Sequence, residues 1–118
     1  SRALGDAMTE CVVVFPEGVG VVPWMVPGGN EIAKATSEQM KSYPAVIWAQ
    51  HGLFVSGADF DETFGLMHCI EKAADIYFRA RTMNGGSNEF LNTITDEGLA
   101  QIGVEFNVEI NKEFLDVQ

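Results

Sequence analysis

Apolar positions along this chain fall into two patterns, one of strands and one of helices. Residues 11–15 (Cys-Val-Val-Val-Phe) and 45–49 (Ala-Val-Ile-Trp-Ala) are short, unbroken and rich in β-branched side chains, as buried strands are. Pro16-Glu17-Gly18 reads as a turn, after which 19–22 extends briefly. Extended structure resumes over 53–55 after His51-Gly52, either as a bent strand or as a hairpin edge. Between 59 and 81, Phe60, Phe64, Met67, Ala74 and Phe78 recur at helical spacing, and Asp59 with Glu62 makes a capping-box-like start. Breakers separate these runs. Pro23-Trp24-Met25-Val26-Pro27-Gly28-Gly29 is a loop. Asn30 is positioned to cap a helix over 30–42, with Glu31 at its positive end and Ile32, Ala35 and Met40 near one face. Pro44 forbids its continuation, and Asn84-Gly85-Gly86-Ser87 stops the long helix. Thr95-Asp96-Glu97 opens another helix, to about 106. Residues 1–8 read as the tail of a helix, and a further short helical turn is expected beyond 108.

Strand–helix–strand–helix order indicates an α/β or α+β fold. Three strands at most give a thin sheet, so the chain is expected to be one segment of a larger domain. Its 118 residues, 47% of them hydrophobic, are enough to bury a core. No apolar run approaches the ~20 residues of a membrane span, and no leader pattern points to secretion. The first residue is serine, which suggests a fragment. Two cysteines, Cys11 and Cys69, do not make a disulfide framework, and a reducing cytoplasm is the simpler setting. Seven basic against seventeen acidic residues give a formal charge of −10, which excludes the basic surfaces that nucleic acids and anionic lipids require.

Chemistry centres on His51. It ends an apolar run and is followed by Gly52, so a titratable ring stands at the mouth of a strand where backbone can approach closely. The residues alone are compatible with a metal ligand or with a structural histidine at a strand end. A metal site needs three or four ligands, and the chain holds one other histidine, His68. His68 and Cys69 are adjacent within the long helix and point about 100° apart, poor geometry for one metal. Glu71 shares the apolar stripe of that helix, which calls for a hydrogen-bonding partner if it is buried. Glu10, just before the first strand, reads on its own as a solvated carboxylate, and Glu17 as a turn residue. Gly28-Gly29-Asn30 is explained by a turn and a cap. No nucleophile elbow, Cys/His pair or phosphate loop of the Walker type is present.

Longer strings say more. Glu10-Cys11-Val12-Val13-Val14-Phe15-Pro16-Glu17-Gly18-Val19-Gly20, Pro23-Trp24-Met25-Val26-Pro27-Gly28, Trp48-Ala49-Gln50-His51-Gly52-Leu53-Phe54, Asp61-Glu62-Thr63-Phe64-Gly65-Leu66 and Glu71-Lys72 resemble the class II aldolase/adducin-like family, over roughly residues 8–75. The resemblance implies an α/β/α sandwich around a mainly antiparallel sheet, of which residues 1–118 form a C-terminal segment, and a cyclic homotetramer. It implies zinc-dependent retro-aldol cleavage of a sugar phosphate: L-rhamnulose 1-phosphate to dihydroxyacetone phosphate and L-lactaldehyde. Zinc in such enzymes is held by three histidines, and His51 matches the third. The other two form a His-x-His pair that this sequence lacks, together with the phosphate loop and metal-adjacent glutamate that precede it, so the segment alone is expected to be inactive. Glu10 matches a glutamate that reaches the site of a neighbouring subunit to handle a proton on the aldehyde oxygen. A non-enzymatic assembly module of the adducin type, or a sibling aldolase or epimerase, are the alternatives. Helices built to pack against a missing half are expected to expose apolar surface and to favour association.

Overall fold

The structure, a computed structural model, describes Leu4, residues 8–87, residues 90–112 and Leu115. The helical tail expected over 1–8 falls largely outside these residues. Residues 11–15 do not form a strand: Thr9–Val14 is a helix, α1, and Phe15 N–H donates to the Cys11 carbonyl at 2.9 Å. Burial explains the difference. Cys11, Val12 and Phe15 are buried, Val13 is half-buried and Val14 exposed, a helical period rather than an alternation. Leu4, Met8, Cys11 and Phe15 follow one another at helical spacing and share one apolar cluster. A short apolar run cannot distinguish strand from helix by itself; here the helix begins at Thr9, after an extended Met8 at φ −155°. The Pro16-Glu17 turn follows as expected, with Gly18 N–H bonded to the Phe15 carbonyl at 2.8 Å and Gly18 at φ 93°.

The sheet is mixed. β1 (Gly20–Val22) and β2 (Ala45–Trp48) pair in parallel, Gly20 opposite Val46 and Val22 opposite Trp48. A parallel pair needs a crossover, and α2 (Asn30–Gln39) supplies it. Gly29, rather than Asn30, occupies the cap position of α2, and the helix stops short of Ser42. β3 (Gly52–Val55) returns antiparallel to β2, with Ala45 opposite Val55 and Trp48 opposite Gly52, so the choice between bent strand and hairpin falls to the hairpin. Close approach explains one glycine: a Cβ on Gly20 would stand 2.8 Å from Tyr43 Cδ2 and 2.9 Å from Gln39 Oε1.

Two clusters cover the two faces of this sheet. On one face Ala45, Ile47, Leu53 and Val55 meet Cys11 of α1, Phe15 at its C-cap, and Ile70 and Ala73 of α3 (Phe60–Met83). On the other, Val22, Val46 and Trp48 meet Ile32 and Ala35 of α2. The chain is thus α/β, with helices against both faces of a three-stranded sheet. α3 starts as its sequence predicts: the Asp59 carboxylate accepts from Glu62 N–H at 2.8 Å, while the Glu62 carboxylate accepts from Ala58 N–H. Its packed face differs from the expected one. Leu66, Cys69, Ile70, Ala73 and Tyr77 turn inward, whereas Phe60, Phe64 and Phe78 are 94%, 65% and 69% exposed. Glu71 is likewise exposed and needs no buried partner. Two apolar stripes run along this helix, and the less aromatic one faces the sheet. α4 (Asp96–Glu105) is capped by the Thr95 hydroxyl, which accepts from Gly98 N–H at 3.1 Å. The tail then returns to the first turn: Asn111 N–H donates to the Pro16 carbonyl at 3.0 Å and Asn111 Nδ2 to the Glu17 carbonyl at 3.2 Å. Beyond it, Leu115 N–H bonds to the Lys112 carbonyl at 3.1 Å, and the helical turn expected past 108 falls largely outside the described residues.

Ile32 is 3% exposed and Phe60 94%. Ile32→Ala is expected to cost about 2–5 kcal/mol through lost burial and a cavity, and Phe60→Ala less than about 0.5 kcal/mol. Urea denaturation of the two variants checks that the buried face of α2 carries core energy that the outer aromatic stripe of α3 does not.

Candidate functional site

The parallel pairing brings the carboxyl ends of β1 and β2 to one edge of the sheet. Ala49 N–H donates to the Val22 carbonyl at 3.0 Å, so the loop leaving β1 at Pro23 lies beside the turn leaving β2. In open α/β sheets this edge is where ligands bind. His51 sits in that turn. Its N–H donates to the Trp48 carbonyl at 3.1 Å, closing a three-residue connection in which Gln50 takes φ 55°. Glutamine is uncommon in that left-handed region, and nothing in the sequence signals it. Gly52 was expected to permit close approach, yet a Cβ there would meet nothing within 4 Å. His51 is exposed, and its ring lies 5.2 Å from the Trp48 ring at an interplanar angle of 38°.

Trp48 is itself fixed. Its Nε1–H donates to Thr36 Oγ1 at 2.8 Å, and Thr36 Oγ1 donates to the Ile32 carbonyl at 2.6 Å. Phe54 packs on the indole at 4.3 Å. This surround of His51 was not visible in the sequence, because Thr36 and Trp48 belong to a helix and a strand with no shared periodicity. The aromatic content of 48–54 was the only hint.

Glu10 lies elsewhere, on the exposed side of α1 rather than before a strand. No hydrogen bond or ion pair joins it to His51. Across from it are two thiols. Cys11, 3% exposed, donates its S–H to Cys69 of α3, which is half-buried. Burial, reinforced by the neighbouring sulfur, pushes the Cys11 thiol up from 9.0 to about 12. Burial also raises Cys69; the Cys11 hydrogen bond opposes this and the Glu10 charge adds to it. Reactive thiols need the opposite shift, so this pair is structural. His68 turns away from Cys69 and packs edge-on against Phe64, ring centroids 4.4 Å apart, as the angular argument required. Glu17 is an exposed turn residue. Among the described residues, no three His, Cys, Asp or Glu side chains converge on a point that could hold a metal ion, and no helix is long and apolar enough to cross a membrane.

A family model described as the Class II Aldolase and Adducin N-terminal domain matches residues 3–78. Rhamnulose-1-phosphate aldolase of Listeria monocytogenes serotype 4a (strain HCC23) is 46% identical over 116 residues, 98% of this chain and 41% of that protein. The protein of the same name from Klebsiella pneumoniae (strain 342) is 45% identical over 117 residues, 99% of this chain and 41% of its own length. The chain therefore spans about 41% of the length of these relatives. Among solved structures, a sugar-phosphate aldolase from Thermotoga maritima superposes with a TM-score of 0.63 at 31% identity, over 73% of this chain and 36% of that one. YgbL from Klebsiella pneumoniae superposes with a TM-score of 0.70 at 24% identity, over 84% and 44%.

The Cys11 shift makes a pH prediction. Because the folded chain holds this proton to about pH 12 and the unfolded chain loses it near pH 9, no stability is lost below pH 9. Above it, stability falls by roughly 1 kcal/mol per pH unit. Urea midpoints measured upward from pH 9 should decline in the native chain and decline less in Cys11→Ala, which starts from a lower value.

Proposed function

Because the chain belongs to the class II aldolase and adducin family, we propose that the protein it forms part of is a rhamnulose-1-phosphate aldolase. This lyase cleaves L-rhamnulose 1-phosphate to dihydroxyacetone phosphate and L-lactaldehyde in rhamnose catabolism. The observation that carries the reading is the nearly end-to-end match to relatives of that name. It is supported by the exposure of His51 at the carboxyl edge of the sheet.

His51 acts in this reading as one metal ligand. It fits as a single donor: the imidazole is exposed, and no protein hydrogen bond among the described residues occupies its nitrogens. It does not make a site by itself, since no second and third donor converge with it among those residues, and the remaining ligands come from the length the relatives carry beyond this segment. Zinc, when bound by the complete set, supplies Lewis-acid stabilisation of the oxyanion that forms as the carbon–carbon bond breaks. Glu10 exchanges the proton on the aldehyde oxygen. Its exposure on α1 and its lack of contact with His51 favour service in the site of a neighbouring copy. The complete protein is then a cytoplasmic homotetramer built on an α/β/α sandwich around a mainly antiparallel sheet, to which β1–β3 contribute three strands.

A non-enzymatic assembly module of the adducin type draws its support from the lone imidazole, and a sibling aldolase from the Thermotoga likeness. Elemental analysis and aldol-cleavage assays on the full-length protein separate these readings. Near one zinc per chain is expected, lost in His51→Ala. Glu10→Gln is expected to keep zinc and lower kcat by about 10²–10⁴-fold. Full zinc in His51→Ala removes the ligand assignment; absence of both zinc and cleavage in the unsubstituted protein supports the module; cleavage of another sugar phosphate in preference supports the sibling.

A further inference from the structure

We propose that Trp48, anchored by the Thr36 hydroxyl, is a positioning residue that sets the orientation of the His51 imidazole. The inference rests on the reading of His51 as a metal ligand for its consequence, though not for its geometry. Ligating histidines are ordinarily aimed by a second partner that takes the other ring N–H, a carboxylate, a carbonyl or a water. Among the described residues no carboxylate or carbonyl does this for His51. What lies against the ring is the indole of Trp48, 5.2 Å away and tilted by 38°.

That indole is held on several sides. Thr36 is buried in α2, and its one hydroxyl proton goes to the Ile32 carbonyl at 2.6 Å. The oxygen lone pairs are thereby left to accept Trp48 Nε1–H at 2.8 Å. Phe54, on the adjacent strand, packs on the indole at 4.3 Å, while the Trp48 side chain packs on the cluster of Val22, Ile32 and Val46. The backbone refers to the same residue, since the Trp48 carbonyl accepts His51 N–H at 3.1 Å. Main chain and ring of His51 are both referenced to one tryptophan, and that tryptophan to the interior of α2. A relay of this form makes the crossover helix an orienting element for a residue on the turn.

The anchoring hydroxyl can be removed without touching either ring. In the 118-residue chain, NMR of the His51 ring protons reads the indole ring current directly, and no metal is required. Thr36→Val, which strands the indole N–H, is expected to shift these resonances and average them toward free histidine. Thr36→Ser, which restores the hydroxyl, is expected to return them, and Trp48→Leu to displace them furthest. In the full-length protein, titration with cobalt(II) as the probe is expected to show about a 10–100-fold loss of affinity in Thr36→Val and recovery in Thr36→Ser. A purely structural role would lower the urea midpoint while leaving the His51 resonances of the folded chain unchanged, and that result overturns the proposal. If Thr36→Val does not fold, Thr36→Ala, which also strands the indole N–H while leaving both rings in place, serves, with the same resonances expected to move; unchanged resonances there overturn it equally. Native cobalt affinity in His51→Ala would defeat the ligand reading alone, and the NMR result would still decide the orientation.

Discussion

The parallel pairing of β1 with β2 is the constraint on which the candidate site depends. Three register pairs, Gly20 with Val46 through Val22 with Trp48, place two strand ends at one edge and oblige the chain between them to cross over as α2. From that follow the contact of Ala49 with Val22, the seat of His51 beside the loop leaving β1, and the meeting of Thr36 with Trp48. Antiparallel pairing of the same strands would send the β1 loop to the opposite edge. The short approach of Tyr43 and Gln39 over Gly20 permits the pairing to sit tightly under the end of α2.

Much of this architecture was legible in the residues. Asp59 and Glu62, Thr95, and the Pro16-Glu17-Gly18 turn each announce themselves through a local hydrogen-bonding pattern, and the structure contains all three. The run at 45–48 is a strand because both of its faces are buried, and an unbroken apolar string is the mark of that environment. The run at 11–15 is also short and apolar but became a helix: Cys11, Val12 and Phe15 are buried while Val14 is exposed, a helical period. In α3 the aromatic stripe attracted the core assignment, yet the smaller Cys69, Ile70 and Ala73 allow the helix to approach α1.

The site divides along the same line. His51 was singled out from local sequence, as a polar ring interrupting an apolar run, and the structure exposes it beside the carboxyl ends of β1 and β2. Its surround was not, because the distance between Thr36 and Trp48 along the chain reflects a crossover and carries no period. Glu10 was singled out through resemblance, and its element was misread as a strand end; it lies on the exposed side of the helix α1. The Cys11–Cys69 contact, by contrast, ties Glu10's helix to α3 through thiols that burial keeps protonated.

The hairpin and crossover unit occupies residues 20–55 without interruption, whereas the opposite cluster joins Leu4 and Phe15 to Ala73, and Asn111 closes back on Pro16. Loop-closure entropy rises with the length of chain to be closed, and contacts near in sequence form soonest. The scaffold that holds His51 therefore closes over a shorter stretch of chain than the cluster on the opposite face. Its geometry can be in place while α1 and the tail are still searching for theirs.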